Sequence, residues 1–207
     1  MKLPTRRNAS FLLSALILAL LAVLLFLTNA CLLPARTIRA TEIPYSTGET
    51  RVIRRETAGP FTYHLSGNDH ALLLSSCQFS LPALSWYDMG DCVLDLTQEP
   101  GPVWAGSLVQ RWQEDQWSSL HLFGRVDLTD AVAVRAAVSG FPDVETELFS
   151  GPDGRTYFWV WLEGDETAFM GSEPVCTNLA VLDGKGVILC TYDPSQHHMS
   201  WCGLLQQ

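Results

Sequence analysis

Residues 144–162 read VETELFSGPDGRTYFWVWL, and at their centre Gly151-Pro152-Asp153-Gly154 sets proline, aspartate and glycine in the order of a type I turn closed by a glycine bulge. Such a turn pairs Gly151 with Arg155, and continuing the ladder sets Leu148 against Phe158, Thr146 against Val160 and Val144 against Leu162. Side chains alternate along a strand, so one face collects Val144, Thr146, Leu148, Phe158, Val160 and Leu162, which reads as core. The opposite face collects Phe149, Tyr157, Trp159 and Trp161 beside Glu145, Glu147 and Glu163. That second face has two readings. It is an aromatic strip rimmed with carboxylates on which a sugar ring or a peptide stacks, or it is a layer buried under another sheet, the commoner fate of Trp and Tyr.

Outward from this hairpin the chain keeps the same character. Residues 51–57, 60–65, 71–75, 92–96, 103–110 and 117–123 are short, β-branched or aromatic runs separated by Gly, Pro and Asp. In the last of them Trp117, Ser119, His121 and Phe123 alternate with Ser118, Leu120 and Leu122, a period of two. The expected fold is mainly β, an antiparallel sandwich or meander, with one short helix. That helix is placed at 129–139, an alanine-rich stretch that Asp127 or Thr129 can cap and that stops at Gly140 and Pro142.

The N-terminal side is of another kind. Residues 11–28 hold only Ser14 and Thr28 as polar side chains, enough for a helix of about 27 Å, close to one hydrocarbon core. This predicts a transmembrane signal-anchor over 11–33, after a cytoplasmic tail of residues 1–10. Cleavage after Ala30 and lipidation at Cys31 are the alternatives. Lys2, Arg6 and Arg7 precede the run and favour a cytoplasmic N-terminus, which puts the remainder outside the cytoplasm. Residues 34–50, with Pro34, Pro44, Gly48 and four threonines, read as a stalk, and 51–207 as one extracytoplasmic domain.

Charge divides at the same place. Residues 1–55 carry eight Lys or Arg against two acids, for +6, whereas 56–207 carry five against twenty, for −15. A body so acidic repels phosphate backbones, so no nucleic-acid partner is expected. Beyond the apolar run lie Cys77, Cys92, Cys176, Cys190 and Cys202, read as disulfide candidates in an oxidising compartment, with Cys77–Cys92 the first pairing and Cys176 choosing between Cys190 and Cys202.

The sequence carries few signatures of chemistry. GxSxG, HExxH, phosphate-loop and GxGxxG signatures are absent from the sequence. His197-His198 is the one cluster resembling metal ligands, and neighbours on a strand point to opposite faces, so neither a metal site nor a cofactor is expected. Asp88 and Asp91 flank Gly90 and, with Glu145 and Glu147, are the carboxylates available for acid–base work on a glycoside. The reading that results is a membrane-anchored binding or scaffolding domain at the cell envelope, non-catalytic, with Tyr157, Trp159, Trp161, Phe149, Glu145 and Glu147 facing a glycan or protein partner. A glycan-acting hydrolase and a structural subunit of a membrane complex are the alternatives.

Overall fold

The computed structural model describes residues 6–27, 34–81, 85–97, 101–112, 117–165, 175–193 and 201–203. Two helices, α1 (Arg6–Leu27) and α2 (Pro34–Tyr45), precede a series of strands that form three sheets. The first sheet is the antiparallel meander β1 (Arg51–Ala58), β2 (Phe61–Gly67), β3 (Ala71–Ser80) and β4 (Ser85–Asp95). The second is built on β5 (Val103–Trp112), β6 (Trp117–Val126) and β10 (Thr156–Asp165), with β9 (Phe149–Ser150) at one edge and β13 (Trp201–Gly203) parallel to β5 at the other. The third runs β12 (Ile188–Tyr192), β11 (Cys176–Leu182), β7 (Ala133–Val138) and β8 (Val144–Glu147).

The second sheet is the middle layer, and its period-two pattern is the reason. Leu120, Leu122, Phe158 and Val160 point to one side and pack on Val134, Val138, Leu179 and Val181 of the third sheet. Phe123, Leu108, Tyr157 and Trp159 point to the other side and pack on Tyr63, Leu65, Leu74 and Leu94 of the first. A strand buried on both faces shows apolar residues at odd and even positions alike, which is how β6 and β10 read. Gly124 in β6 permits the tightest approach in this layer. A Cβ there would stand 2.0 Å from the Trp104 carbonyl oxygen and 2.5 Å from the Phe158 ring.

The turn at residues 151–155 forms as its sequence predicts. Gly151 N donates to the Arg155 carbonyl at 2.8 Å, Gly154 N donates to the Gly151 carbonyl at 3.0 Å, and Gly154 sits at φ 77°. The ladder beyond it is shorter than expected, however. Ser150 faces Thr156 and Phe149 faces Tyr157, after which Leu148 N donates to the Val132 carbonyl and the chain crosses to β7 as β8. Val144, Leu148 and Leu162 still reach the same core, so the expected core face survives although its strand changes sheets.

Four expectations are corrected. Residues 129–139 hold no helix. Val134, Ala136 and Val138 alternate inward in β7, which is paired on both sides by β11 and β8, and those ladders override the helix preference of alanine. The stalk over 34–50 contains α2, which buries Thr37, Ile38, Thr41 and Glu42 against β3 and β4 at the i, i+1, i+4, i+5 spacing of one helical face. Three of those four side chains are polar, so the face leaves no trace in hydrophobic periodicity. The transmembrane helix expected over 11–33 overlaps α1 (Arg6–Leu27), and residues 28–33 lie outside the described residues. Among the described residues no helix is long and apolar enough to cross a membrane.

The fourth correction concerns the cysteines. No disulfide joins Cys77, Cys92, Cys176 and Cys190. On the first sheet Cys77 faces Asp88 while Cys92 faces Leu74, three residues away along β3. On the third, Cys190 faces Val181, and Cys176 lies five residues from Val181, about 16 Å along the strand. The hairpin between them closes at Asp183 and Val187. Cys31, the Cys202 side chain and the His197-His198 pair lie outside the described residues.

Candidate functional site

The six residues expected to share one ligand surface are divided by the sheet change at Leu148. Glu145 and Glu147 are exposed on β8, on the outer side of the third sheet, where Arg135 holds Glu145 at 2.9 Å. Tyr157 and Trp159 are 1% and 5% exposed and lie between the first and second sheets, with Phe149 and Trp161 half-buried beside them. The aromatic strip is therefore an interior seam. Trp159 meets Tyr63 and Trp161 edge-on with ring centres 6.4 and 6.0 Å apart, and Arg54 lies 4.7 Å over Phe149 at the rim.

Inside this seam sits a polar network that the sequence search passes over. Trp159 Nε1 donates to His121 Nδ1 at 3.2 Å, His121 Nε2 lies 2.9 Å from Ser119 Oγ, and Ser119 Oγ lies 3.3 Å from the Tyr63 hydroxyl. The Tyr63 ring stacks on the imidazole with centres 4.0 Å apart. A Ser–His contact of this kind invites comparison with a nucleophile and its base. The indole decides against that role: it can only donate, so Nδ1 is the lone-pair nitrogen and Nε2 carries the proton. A ring protonated at Nε2 cannot take the Ser119 proton, and among the described residues no carboxylate stands behind it to stabilise an imidazolium. Burial lowers the His121 pKa to about 3 and raises that of Tyr63, so both stay neutral through the physiological range. The available signal was the alternation of Ser119 and His121 with leucines, which places two polar side chains on a buried face.

A second polar group lies on the outer face of the first sheet. The cross-strand rows His64–Ser75–Asp91 and Thr62–Cys77–Asp88 set these residues side by side. His64 Nδ1 is 3.9 Å from Cys77 Sγ, Ser75 Oγ is buried without a hydrogen-bond partner, and the Tyr45 hydroxyl at the end of α2 donates to Asp91 at 3.0 Å. Burial and the Arg55 guanidinium lower the His64 pKa to about 4. Burial raises the carboxyl of Asp88, and burial together with the Asp88 charge raises that of Asp91. The arrangement thus offers two carboxyls inclined to hold a proton and an imidazole inclined to lose one. Among the described residues no three His, Cys, Asp or Glu side chains converge to hold a metal ion.

An open cavity of about 400 Å³ is lined by Arg39, Glu42 and Ile43 of α2 and by Ser46, Gly48 and Glu49 of the turn that follows it. Its polar groups are engaged in holding the turn: Glu42 accepts from the Thr50 amide and hydroxyl, and Arg39 lies 3.5 Å from Glu49. No family model, curated protein or solved structure matches this chain.

Proposed function

We propose that the chain is a membrane-anchored, non-catalytic binding or scaffolding domain, held outside the cytoplasm at the cell envelope by the apolar N-terminal segment to which α1 belongs. The observation that carries this reading is the surface of α1. Phe11 is 80% exposed, and no large apolar side chain from there to Val23 falls below 48%. A helix apolar on every side and packed on nothing is matched to lipid rather than to water. The described side chains of α1 run from residue 10 to 23, about 21 Å of helix. The basic residues Lys2, Arg6 and Arg7 before it support a cytoplasmic N-terminus.

The non-catalytic part of the reading is supported by the proton position on His121 and by the separation of Glu145 and Glu147 from the aromatic seam. A glycan or protein partner then meets the outer surface rather than Trp159. Alkaline extraction of membranes carrying the full chain, followed by protease protection, tests the anchor. The chain is expected to remain in the membrane fraction with residues 51–193 shielded from protease on the cytoplasmic side. Its release into the alkaline supernatant would overturn the reading. A second reading, hydrolysis of an envelope glycan, draws on Asp88 and Asp91, whose raised carboxyls suit acid–base work. Turnover of a glycan that is lost in Asp88→Asn and Asp91→Asn would establish it.

A further inference from the structure

The outer face of β3 and β4 carries three cross-strand rows in succession, Phe79–Trp86, Cys77–Asp88 and Ser75–Asp91. Each is two residues of β3 from the next, so the rows lie about 7 Å apart on one side of the sheet. The first row is aromatic: the Phe79 and Trp86 rings stand 5.5 Å apart between centres, and Phe79 is 43% exposed. The other two end in carboxylates, Asp88 exposed and Asp91 half-buried. At the base of the last row Ser75 is 3% exposed, directly beside Asp91 in the ladder, and its Oγ has no hydrogen-bond partner.

These two carboxylates lack what other acids of the chain have. Glu56, Asp69, Asp127 and Glu145 each pair with an arginine, whereas among the described residues no Lys or Arg pairs with Asp88 or Asp91. Arg55 shares the row of His64, Ser75 and Asp91 but stands three strands from Asp91, about 14 Å away. His64, with its pKa lowered to about 4, adds no positive charge, and the Asp88 charge raises the Asp91 carboxyl. Two repelling carboxylates over an unused hydroxyl make a place for a cation. Its neighbours select the kind of cation. Among the described residues no three His, Cys, Asp or Glu side chains converge to hold a metal ion, and the adjoining row offers ring faces rather than lone pairs. A guanidinium fits this set: its planar fork of five donors bridges two carboxylates and reaches a hydroxyl, and its plane stacks on an indole.

We propose that the outer face of β3 and β4 binds an arginine side chain of a basic peptide segment, with the guanidinium bridging Asp88 and Asp91 above Ser75 and against the Trp86 ring. The proposal rests on the binding reading above and names its ligand. A body of net charge −15 from residue 56 onward draws such a segment towards it, and the two unpaired carboxylates fix where its arginine settles.

The test is calorimetric titration of the full chain in detergent with a blocked peptide of three Ala-Arg repeats. One peptide binds per chain. Asp88→Asn and Asp91→Asn each weaken binding about tenfold and Trp86→Leu about threefold. Asp130→Asn and Asp143→Asn, exposed beside the third sheet, leave it unchanged. The Ala-Lys counterpart binds about threefold more weakly, and the Ala-citrulline counterpart, which keeps the shape and loses the charge, does not bind. Asparagine retains the Oδ1 that accepts from the Gly90 amide or the Tyr45 hydroxyl, so the melting temperature of neither variant falls and lost binding is not lost folding. Absence of binding by the arginine peptide, or equal weakening by Asp130→Asn, would overturn the proposal. So would one calcium ion bound per chain from calcium chloride and lost in Asp88→Asn, which would make the place a metal site. Alkaline release of the chain would remove the anchor and leave this titration standing, so the two failures are distinct.

Discussion

The two faces of the middle sheet are built from the same three strands and held by different physics. Towards the third sheet, Leu120, Leu122, Val126, Phe158 and Val160 meet aliphatic partners, and stability there comes from apolar area and close packing. Towards the first sheet, Tyr157, Trp159 and Phe123 share the interior with His121, Ser119 and Tyr63, so the same burial requires hydrogen bonds to be satisfied as well. The difference teaches that an aromatic strand face bearing polar tips is no sign of a ligand platform. A wet-looking pattern in sequence can be a dry seam whose His121, Ser119, Tyr63 and Trp159 tips bond to one another.

The largest effect is expected at Gly124, over which the strands of the middle sheet close. Gly124→Ala drives a Cβ into the Trp104 carbonyl oxygen and the Phe158 ring, and a loss of about 4 kcal/mol or more is expected, read as failure to fold or as a collapse of the urea midpoint. On the aliphatic face, Phe158→Ala leaves a cavity and costs about 3–5 kcal/mol by the same measurement. On the polar face, Trp159→Phe keeps most of the ring and removes one donor, leaving the His121 Nδ1 unpaired at a cost of about 1–3 kcal/mol. If Trp159→Phe equals Phe158→Ala, the distinction between the faces fails.

The smallest effect sharpens the comparison through pH. His121 has a folded pKa of about 3 against about 6.5 unfolded, so between those values the unfolded chain binds the extra proton. Stability is therefore fully present above pH 6.5 and falls as the pH drops, by about 1.4 kcal/mol per unit for one such histidine. His64, at about 4, acts in the same direction. The raised carboxyls of Asp88 and Asp91 act oppositely, since the folded state holds their protons more tightly than the unfolded chain does. His121→Phe is expected to lower the slope with pH by up to about 1.4 kcal/mol per unit, measured as urea unfolding free energy at pH 5, 6 and 7.

Most strands of the first two sheets were legible because turn chemistry and period-two alternation are local. Gly151-Pro152-Asp153-Gly154 fixes its turn with four residues, and β6 declares both of its faces in ten. What was not legible depends on partners distant in sequence. The departure of β8 from β10 at Leu148 is set by a hydrogen bond to Val132, which no local pattern announces. α2 hides because threonines and a glutamate cover its buried face, with Glu42 satisfied by Thr50 eight residues on. The candidate site suffered the same limit: the alternation that placed Trp159 on one face says nothing about whether a first sheet covers it. His121 was visible as a polar residue among leucines, but its proton position follows only from the indole across the seam.

The aromatic face is a sealed interior in which hydrogen bonds join Trp159, His121, Ser119 and Tyr63 and His121 is locked with its proton on Nε2. Nitrogen-15 NMR of the histidine ring between pH 4.5 and 7 tests it directly. The account predicts an unchanging neutral imidazole, with Nδ1 as acceptor and Nε2 protonated throughout that range. An imidazole that titrates near 6.5, or one protonated at Nδ1, would contradict it.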